Sequence, residues 1–170
     1  MQLNSLNDVY EGQLGDLYDA EKQLVAALPK VAAAAHSDEL RKALHEHLDE
    51  TRGHVERLEQ IFGDLGMPMP TETCMAMQGL IREGDQIVTA TGDPAAKDAA
   101  MIAAAQRVEH YEIAGYGTAR TLARELGHGD AASLLDKTLD EESNADSLLT
   151  KIATGGPLSS GVNRAATSRS

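Results

Sequence analysis

Four long stretches of the chain carry apolar residues at intervals of three and four, and each stretch is bounded by glycine or proline. This spacing places the apolar side chains on one face of an α-helix. The chain is also rich in Ala, Leu, Glu and Asp, with aromatic residues at 3% of its 170 residues. Because strands favour β-branched and aromatic residues, the composition supports helices throughout.

The predicted helices span about Leu3 to Ala35, Asp38 to Leu65, Pro94 to Leu126 and Asp130 to Thr154. Pro29 lies within the first and is expected to kink or divide it, because proline lacks a backbone donor. A connector from Gly66 to about Asp93 contains a short predicted helix at 73–83.

The links within each helix pair are short, and the link between the pairs is long. Short links make antiparallel neighbours, and one long link is the topology of ferritin-like bundles. We therefore predict an all-α, ferritin-like four-helix bundle over residues 1–155, made of two antiparallel hairpins joined by a long crossover with a short extra helix. We expect the crossover to start the third long helix at the end where the first begins. Residues 156–170, rich in Ser, Ala and Arg, are predicted to form a flexible tail.

The net charge is −12 and there is one cysteine, Cys74. Such an acidic surface repels phosphates, so nucleic-acid binding is not expected. The first residues lack the basic and apolar regions of a signal peptide, and the chain has no apolar run of membrane-spanning length. A cytoplasmic protein with no membrane association is the expectation.

Glutamates interrupt the apolar stripe near the middle of every long helix. Burying several carboxylates at one level is unfavourable unless protons or cations compensate their charge. Carboxylate and imidazole ligands suit iron and manganese, and bundles of this kind hold two metal ions between glutamates and histidines of facing helices. The candidate ligands on the four helices are Glu21, His47, Glu50, His54, Glu109, Glu112, Glu141 and Glu142.

The spacing indicates an internal duplication. Glu21 and Glu50 are 29 residues apart, as are Glu112 and Glu141. The tripeptide Leu-Asp-Glu ends at Glu50 in the first half and at Glu141 in the second. The duplication favours Glu141 as the ligand of the fourth helix. The apolar stripe through Leu135, Leu149 and Ile152 favours Glu142 instead. The same pattern leaves open whether His47 or His54 ligates, because both share a helix face with Glu50.

Four segments resemble the YciE/YciF-like family of bacterial ferritin-like, rubrerythrin-like stress proteins. They are YDAEKQL at 18–24, HLDET at 47–51, VEHYEIAGYG at 108–117 and LDEE at 139–142. The resemblance covers about residues 5 to 153. It implies a homodimer with two metal ions, expected to be iron with manganese as the alternative.

By position, the resemblance implies that the ligands are Glu21, Glu50, His54, Glu109, Glu112 and one of Glu141 or Glu142. It also implies a link to bacterial stress response, and a di-iron oxidase or peroxidase type of activity is the corresponding hypothesis. The alternative is a metal-free helical homodimer that acts as a structural or binding stress protein.

Overall fold

The structure of the protein is a computed structural model that describes residues 3–156 and 160–167. These residues form six helices, and four of them are long. The helices are α1 (Leu6–Ala34), α2 (Asp38–Asp64), α3 (Met75–Thr89), α4 (Pro94–Glu125), α5 (Gly129–Thr154) and α6 (Gly161–Thr167). The predicted all-α fold, with its four long helices and one short crossover helix, is confirmed.

Short polar side chains set the starts of the long helices. Ser5 and Asp8 form a reciprocal capping box at α1, and the side chains of Ser37 and Asp93 accept from the third backbone N–H beyond them at α2 and α4. Such caps satisfy backbone donors that a helix leaves unpaired. Pro29 lies inside α1, which continues past it without division.

The four long helices form a ring in which every neighbour is antiparallel. Packing partners in the ring are α1 with α2, α2 with α5, α5 with α4, and α4 with α1. Two close approaches show that α1 and α4 are antiparallel, because the later residue of α1 lies near the earlier residue of α4 and the reverse. The backbone N–H of His36 donates to Asp98 at 2.9 Å, and a Cβ built at Gly115 would lie 2.8 Å from Leu17.

The expected start of α4 is therefore wrong. The connector carries the chain along the whole bundle, so α4 begins beside the C-terminal end of α1 rather than beside its start. Residues 65–93 are numerous enough to turn back or to cross, and their sequence does not distinguish these paths. The helix α3 runs along α1 and α4 on this crossing, and Lys30 of α1 pairs with Asp85 of α3 at 2.6 Å.

Two local boundaries differ from the sequence prediction. The helix α3 continues to Thr89, because Ile87 and Val88 also pack against the core. The helix α6 lies within the predicted flexible tail and packs on α4 and α5 with Val162 buried. Seven residues are too few to show a helical period in the sequence. Residues 157–159 and 168–170 of that tail lie outside the described residues, and its mobility stays a prediction.

The apolar core is split into two halves by a polar layer. One half contains the C-terminal part of α1 and α5 with the N-terminal part of α2 and α4. The other half contains the opposite ends of the same helices. Between them lie buried polar side chains from all four helices: Glu21, His47, Thr51, His54, Glu109, Glu112, Thr138 and Glu142.

Candidate metal centre

The first cluster within the polar layer joins α2, α4 and α5. It consists of His47, Glu109, Glu112 and Glu142, and one ligand atom from each lies within 4.8 Å of all the others. His47 Nε2 is 3.5 Å from Glu109 Oε1 and 3.9 Å from Glu142 Oε2. All four side chains are buried. The arrangement brings one imidazole and three carboxylates to a single point.

The second cluster joins α1, α2 and α5. It consists of Glu21, His54 and Glu142, again with ligand atoms within 4.8 Å of one another. His54 Nδ1 lies 3.2 Å from Glu21 Oε1 and 2.9 Å from Glu142 Oε1. Glu142 belongs to both clusters, and each of its oxygens faces a different histidine. A carboxylate in that position is suited to bridge two cations.

The layer contains buried polar atoms that the protein does not satisfy. Neither oxygen of Glu112 has a hydrogen-bond partner among the described residues, and the same holds for Glu21 Oε2, Glu109 Oε2 and Glu142 Oε2, while Glu142 Oε1 has only its contact with His54 Nδ1. Buried polar groups in native proteins are nearly always partnered. Unpartnered oxygens from four helices, together with two imidazoles, fit the hard-donor set that iron and manganese prefer. The buried groups could therefore hold metal ions.

The net pKa shift differs among the carboxylates of the layer. Burial and the charges of Glu142 and Glu21 raise the pKa of Glu112 well above its ordinary value, and burial likewise raises the pKa of Glu109 well above its own. Burial also raises the pKa of Glu142, but the contact with His54 and the charges of both histidines outweigh it and leave that pKa lowered. In the absence of metal, Glu142 therefore ionises more readily than an ordinary glutamate, whereas Glu109 and Glu112 ionise less readily.

Both histidines of the layer are cations at neutral pH when no metal is bound. Burial alone lowers the pKa of His47, but the Glu109 carboxylate and the contact with Glu50 raise it to about 9. Contacts with Glu142 and Glu21 likewise overcome burial and raise the pKa of His54 to about 10. Metal ligation requires neutral imidazole, so a bound metal has to displace these protons.

Polar partners fix the orientation of the second cluster. His54 Nε2 is 3.0 Å from Glu141 Oε2, and Arg57 donates to both Glu141 oxygens at 2.6 and 3.0 Å. On the other side, the Tyr116 hydroxyl donates to Glu21 Oε1 at 2.5 Å. Histidines that ligate metals commonly donate their second ring N–H to a carboxylate, as His54 can to Glu141.

Comparison with known proteins shows the family of the chain. Residues 5–167 match a family described as a domain of unknown function, DUF892. The chain belongs to this family. Within it, the chain is 46% identical over 154 residues to the protein YciF of Escherichia coli K12, an alignment that covers 90% of this chain and 93% of YciF. The sequence-based resemblance is thereby confirmed.

Solved structures agree with this DUF892 assignment. The E. coli YciF structure, described as that of a stress protein, superposes with a TM-score of 0.85 at 45% identity, covering 88% of this chain and 94% of YciF. YcfI from Rhodopseudomonas palustris, whose description suggests a structural role, gives 0.86 at 41% identity, covering 89% and 97%. A Xanthomonas campestris protein shares the fold, with a TM-score of 0.69 at 20% identity over 86% and 89% of the two chains.

Most of the predicted ligands of this DUF892 protein meet in the layer. The two clusters contain five of them: Glu21, His54, Glu109, Glu112 and Glu142. His47 also lies in a cluster, so both of the histidines between which the sequence did not decide are present. Glu50 and Glu141 lie outside the clusters. Glu50 is exposed and sits 3.6 Å from His47 Nδ1, whereas Glu141 is engaged by Arg57.

The duplication predicted the level of the bundle at which the polar residues lie, and the residue buried there is the neighbour of the one that it favoured. The buried counterparts in the two halves are Thr51 and Glu142, one position after Glu50 and Glu141. Glu142 lies seven residues from both Leu135 and Leu149, which are buried on the same face of α5. The spacing of seven residues is the sequence feature that predicts a buried position for Glu142. Arg57, which holds Glu141, carried no signal in the sequence, because an arginine on a helix is ordinarily exposed.

A cavity of about 350 Å³ between α2 and α5 reaches the first cluster from the surface. It is lined by the acidic side chains Glu46 and Glu50 near its exterior and by His47 and Glu109 within. Carboxylates along this path attract cations. In residues 3–156 and 160–167, we find no helix long and apolar enough to cross a membrane.

Proposed function

We propose that this protein binds two metal ions, iron or manganese, in its polar layer and consumes peroxide in bacterial stress response. The supporting observation is the set of buried carboxylate oxygens that lack partners among the described residues, arranged as two clusters that share Glu142. The description of YciF as a stress protein supports the physiological context.

The proposed ligands are His47, Glu109 and Glu112 for one ion and Glu21 and His54 for the other, with Glu142 between them. Two ferrous ions would supply two electrons, so that one hydrogen peroxide and two protons give two waters and two ferric ions. The two protons come from solvent, because ligation of the metal ions displaces any protons held by Glu109 and Glu112. Tyr116 and Glu141 hold Glu21 and His54 in place.

Elemental analysis of protein purified without chelator tests this proposal. We expect about two iron or manganese atoms per chain. Fe(II) added without oxygen should raise the thermal midpoint, because a ligand that binds the folded state stabilises it. Hydrogen peroxide should then oxidise two Fe(II) per peroxide consumed. Less than about one metal per chain, with no thermal shift on Fe(II) addition, would show that the proposal is wrong.

Metal stabilisation is expected to grow with pH. The raised pKa values of His47 and His54 stabilise the metal-free fold fully below about pH 6.5, and this contribution is lost as pH rises through about 9 and about 10. The raised pKa values of Glu109 and Glu112 also stabilise the metal-free fold at low pH, and this contribution is lost as pH rises above the ordinary pKa of a glutamate. A metal has to displace these protons, so its affinity rises with pH.

We therefore expect the difference in thermal midpoint between Mn(II)-loaded and chelator-treated protein to widen between pH 6 and pH 8. The affinity should rise by more than about tenfold per pH unit, because more than one proton is released. Calorimetry in two buffers of different ionisation enthalpy counts the released protons. A constant or shrinking difference would contradict protonated ligands in the metal-free form.

The second candidate function is a metal-free helical homodimer with a structural or binding role under stress. The suggested structural role of YcfI, at 41% identity, favours it. In that case the buried glutamates remain protonated, and protein purified without chelator contains no stoichiometric metal. The homodimer and the lack of nucleic-acid binding stay predictions under both candidates, and light scattering with and without added DNA checks them.

A further inference from the structure

A second cluster of reactive side chains lies outside the metal-binding layer, where α3 begins. The thiol of Cys74, the N-cap residue of α3, is 3.0 Å from the hydroxyl of Tyr111 on α4. That hydroxyl in turn donates a hydrogen bond to the Asp16 carboxylate of α1. Because the phenol proton is directed at Asp16, the thiol S–H is the donor in its contact with the phenol oxygen. The proposed function uses none of these three side chains.

The exposure of the three groups increases along this chain of hydrogen bonds. Cys74 is 1% exposed, whereas Tyr111 and Asp16 are partly buried, and Asp16 lines a cavity that opens to solvent. The backbone N–H of Cys74 donates to Asp19 at 2.7 Å, and Gln23 donates to the Cys74 carbonyl at 3.1 Å. The thiol is therefore held at a fixed place, and the hydrogen bonds lead from it to the surface.

This cluster borders the polar layer. Tyr111 directly precedes the proposed ligand Glu112 in α4, so their Cα atoms are about 3.8 Å apart. Burial and the neighbouring carboxylates raise the pKa of Glu112, and the charge of Cys74 adds to them, so the thiol lies within electrostatic reach of the layer. An electron that leaves Tyr111 has a short path to the first metal-binding cluster.

The other tyrosine beside the layer, Tyr116, has no outlet for its proton. Its hydroxyl donates to Glu21 Oε1 at 2.5 Å, and Glu21 is a proposed ligand that has to be deprotonated when metal is bound. Tyr116 is also fully buried. Asp16 is not a ligand in the proposed centre and faces the solvent-filled cavity, so it can accept the proton that Tyr111 loses on oxidation.

We propose that Cys74, Tyr111 and Asp16 form a redox relay that supplies one electron to the metal centre when a single ferrous ion is bound. This rests on the proposed function, because the oxidant is the peroxide consumed there. Peroxide that receives only one electron from Fe(II) splits into hydroxide and a hydroxyl radical. With the relay, one peroxide, one Fe(II), the Tyr111 phenol and one solvent proton give two waters, Fe(III) and the Tyr111 phenoxyl radical. The phenol proton leaves through Asp16.

The thiol completes the relay. Its hydrogen faces the phenol oxygen, so transfer of one hydrogen atom breaks the S–H bond, restores the Tyr111 phenol and leaves a sulfur radical on Cys74. Serine at this position keeps the helix cap and a hydrogen bond to the phenol. An aliphatic O–H bond is stronger than an S–H bond, so Cys74→Ser cannot donate that hydrogen atom to the phenoxyl radical.

Spin trapping and freeze-quench electron paramagnetic resonance test the relay on the full chain, with substoichiometric Fe(II) and equimolar hydrogen peroxide. Tyr111→Phe and Asp16→Asn should release several-fold more hydroxyl radical than wild type at unchanged metal content. Cys74→Ser should release no more than wild type but accumulate a phenoxyl signal, which ring-deuterated tyrosine assigns. Tyr18 also donates to a carboxylate, Glu59, at 3.0 Å, so Tyr18→Phe is the matched control and should behave as wild type.

A metal-free measurement separates the relay from the proposed function. All four tyrosines of the chain lie within the described residues, and Tyr111 is the one that is not buried. Azide radicals from pulse radiolysis oxidise tyrosine in chelator-treated protein, and the phenoxyl radical should then decay several-fold faster in wild type than in Cys74→Ser.

Equal phenoxyl decay in wild type and Cys74→Ser would overturn the proposal, as would equal hydroxyl radical release from wild type and Tyr111→Phe. Variants that only lower the thermal midpoint, with neither change, would make the cluster a structural tie between α1, α3 and α4 and would equally overturn it. Failure to bind metal, with fast phenoxyl decay in wild type, would reject the proposed function while hydrogen transfer from Cys74 to Tyr111 stands.

Discussion

Replacing Glu142 by alanine is expected to remove metal binding from both clusters at once. Its two oxygens face different histidines, at 2.9 Å from His54 Nδ1 and 3.9 Å from His47 Nε2. No other residue belongs to both groups found in the described part of the chain. We expect metal content to fall from about two atoms per chain to none, measured by elemental analysis after equilibration with Fe(II) or Mn(II) and desalting.

Two neighbouring substitutions serve as controls. Glu141→Ala removes the partner of His54 Nε2 and Arg57 but no proposed ligand. Loss of such an orienting partner typically costs about 10–100-fold in metal affinity, so two atoms should still bind at saturating metal. Asp140→Ala, at an exposed position of α5, should change neither affinity nor content. Full metal content in Glu142→Ala, or its loss in Glu141→Ala alone, would contradict the assignment of Glu142.

Replacing Glu112 by leucine is expected to stabilise the metal-free protein and to abolish the benefit of metal. The Glu112 carboxyl is fully buried between the two apolar halves, and its oxygens are without partners in the described chain. Replacing buried ionic groups by well-packed apolar side chains of similar volume is often neutral or gains up to about 1–4 kcal/mol, and the lack of partners for Glu112 favours a gain here. For a chain of this size, each kcal/mol raises the thermal midpoint by about 2–4 °C.

The measurement is thermal unfolding in chelator and again with excess Mn(II). Wild type should gain stability with metal, whereas Glu112→Leu should start higher and gain little. Glu125→Leu replaces an exposed glutamate at the end of the same helix, and a surface change of that kind is expected to stay within about 0.5 kcal/mol. A lower midpoint for Glu112→Leu in chelator would mean that the metal-free site is already compensated.

Much of the fold follows from local pattern in the sequence. The period of Leu and Ala residues predicts each long helix, and Ser37 and Asp93 mark helix starts because their side chains satisfy backbone donors. The direction of α4 does not follow, because it depends on how residues 65–93 cross the bundle. The packing of Val162 does not follow either, because a seven-residue helix has too few residues to define a face.

The candidate site was predictable to the level of the helix turn. Carboxylates within an apolar stripe predict the layer, since burial of several charges requires compensation. The choice between adjacent residues depends on the rotation of each helix, which is set by side-chain packing. For α5, the buried pair Leu135 and Leu149 fixes that rotation and turns Glu142 inward. For α2, Thr51 and His47 take the inward positions and Glu50 faces outward.

The polar layer that divides the core also governs how the bundle can come apart. Each apolar half draws on all four long helices and has its own side-chain cluster. Without metal, the two halves meet through buried imidazoles and carboxylates, and several of the carboxylate oxygens lack a hydrogen-bond partner among the described residues. Bridging cations would turn that junction into the strongest tie between the halves, so metal supply would decide whether the bundle opens as one cooperative unit or as two.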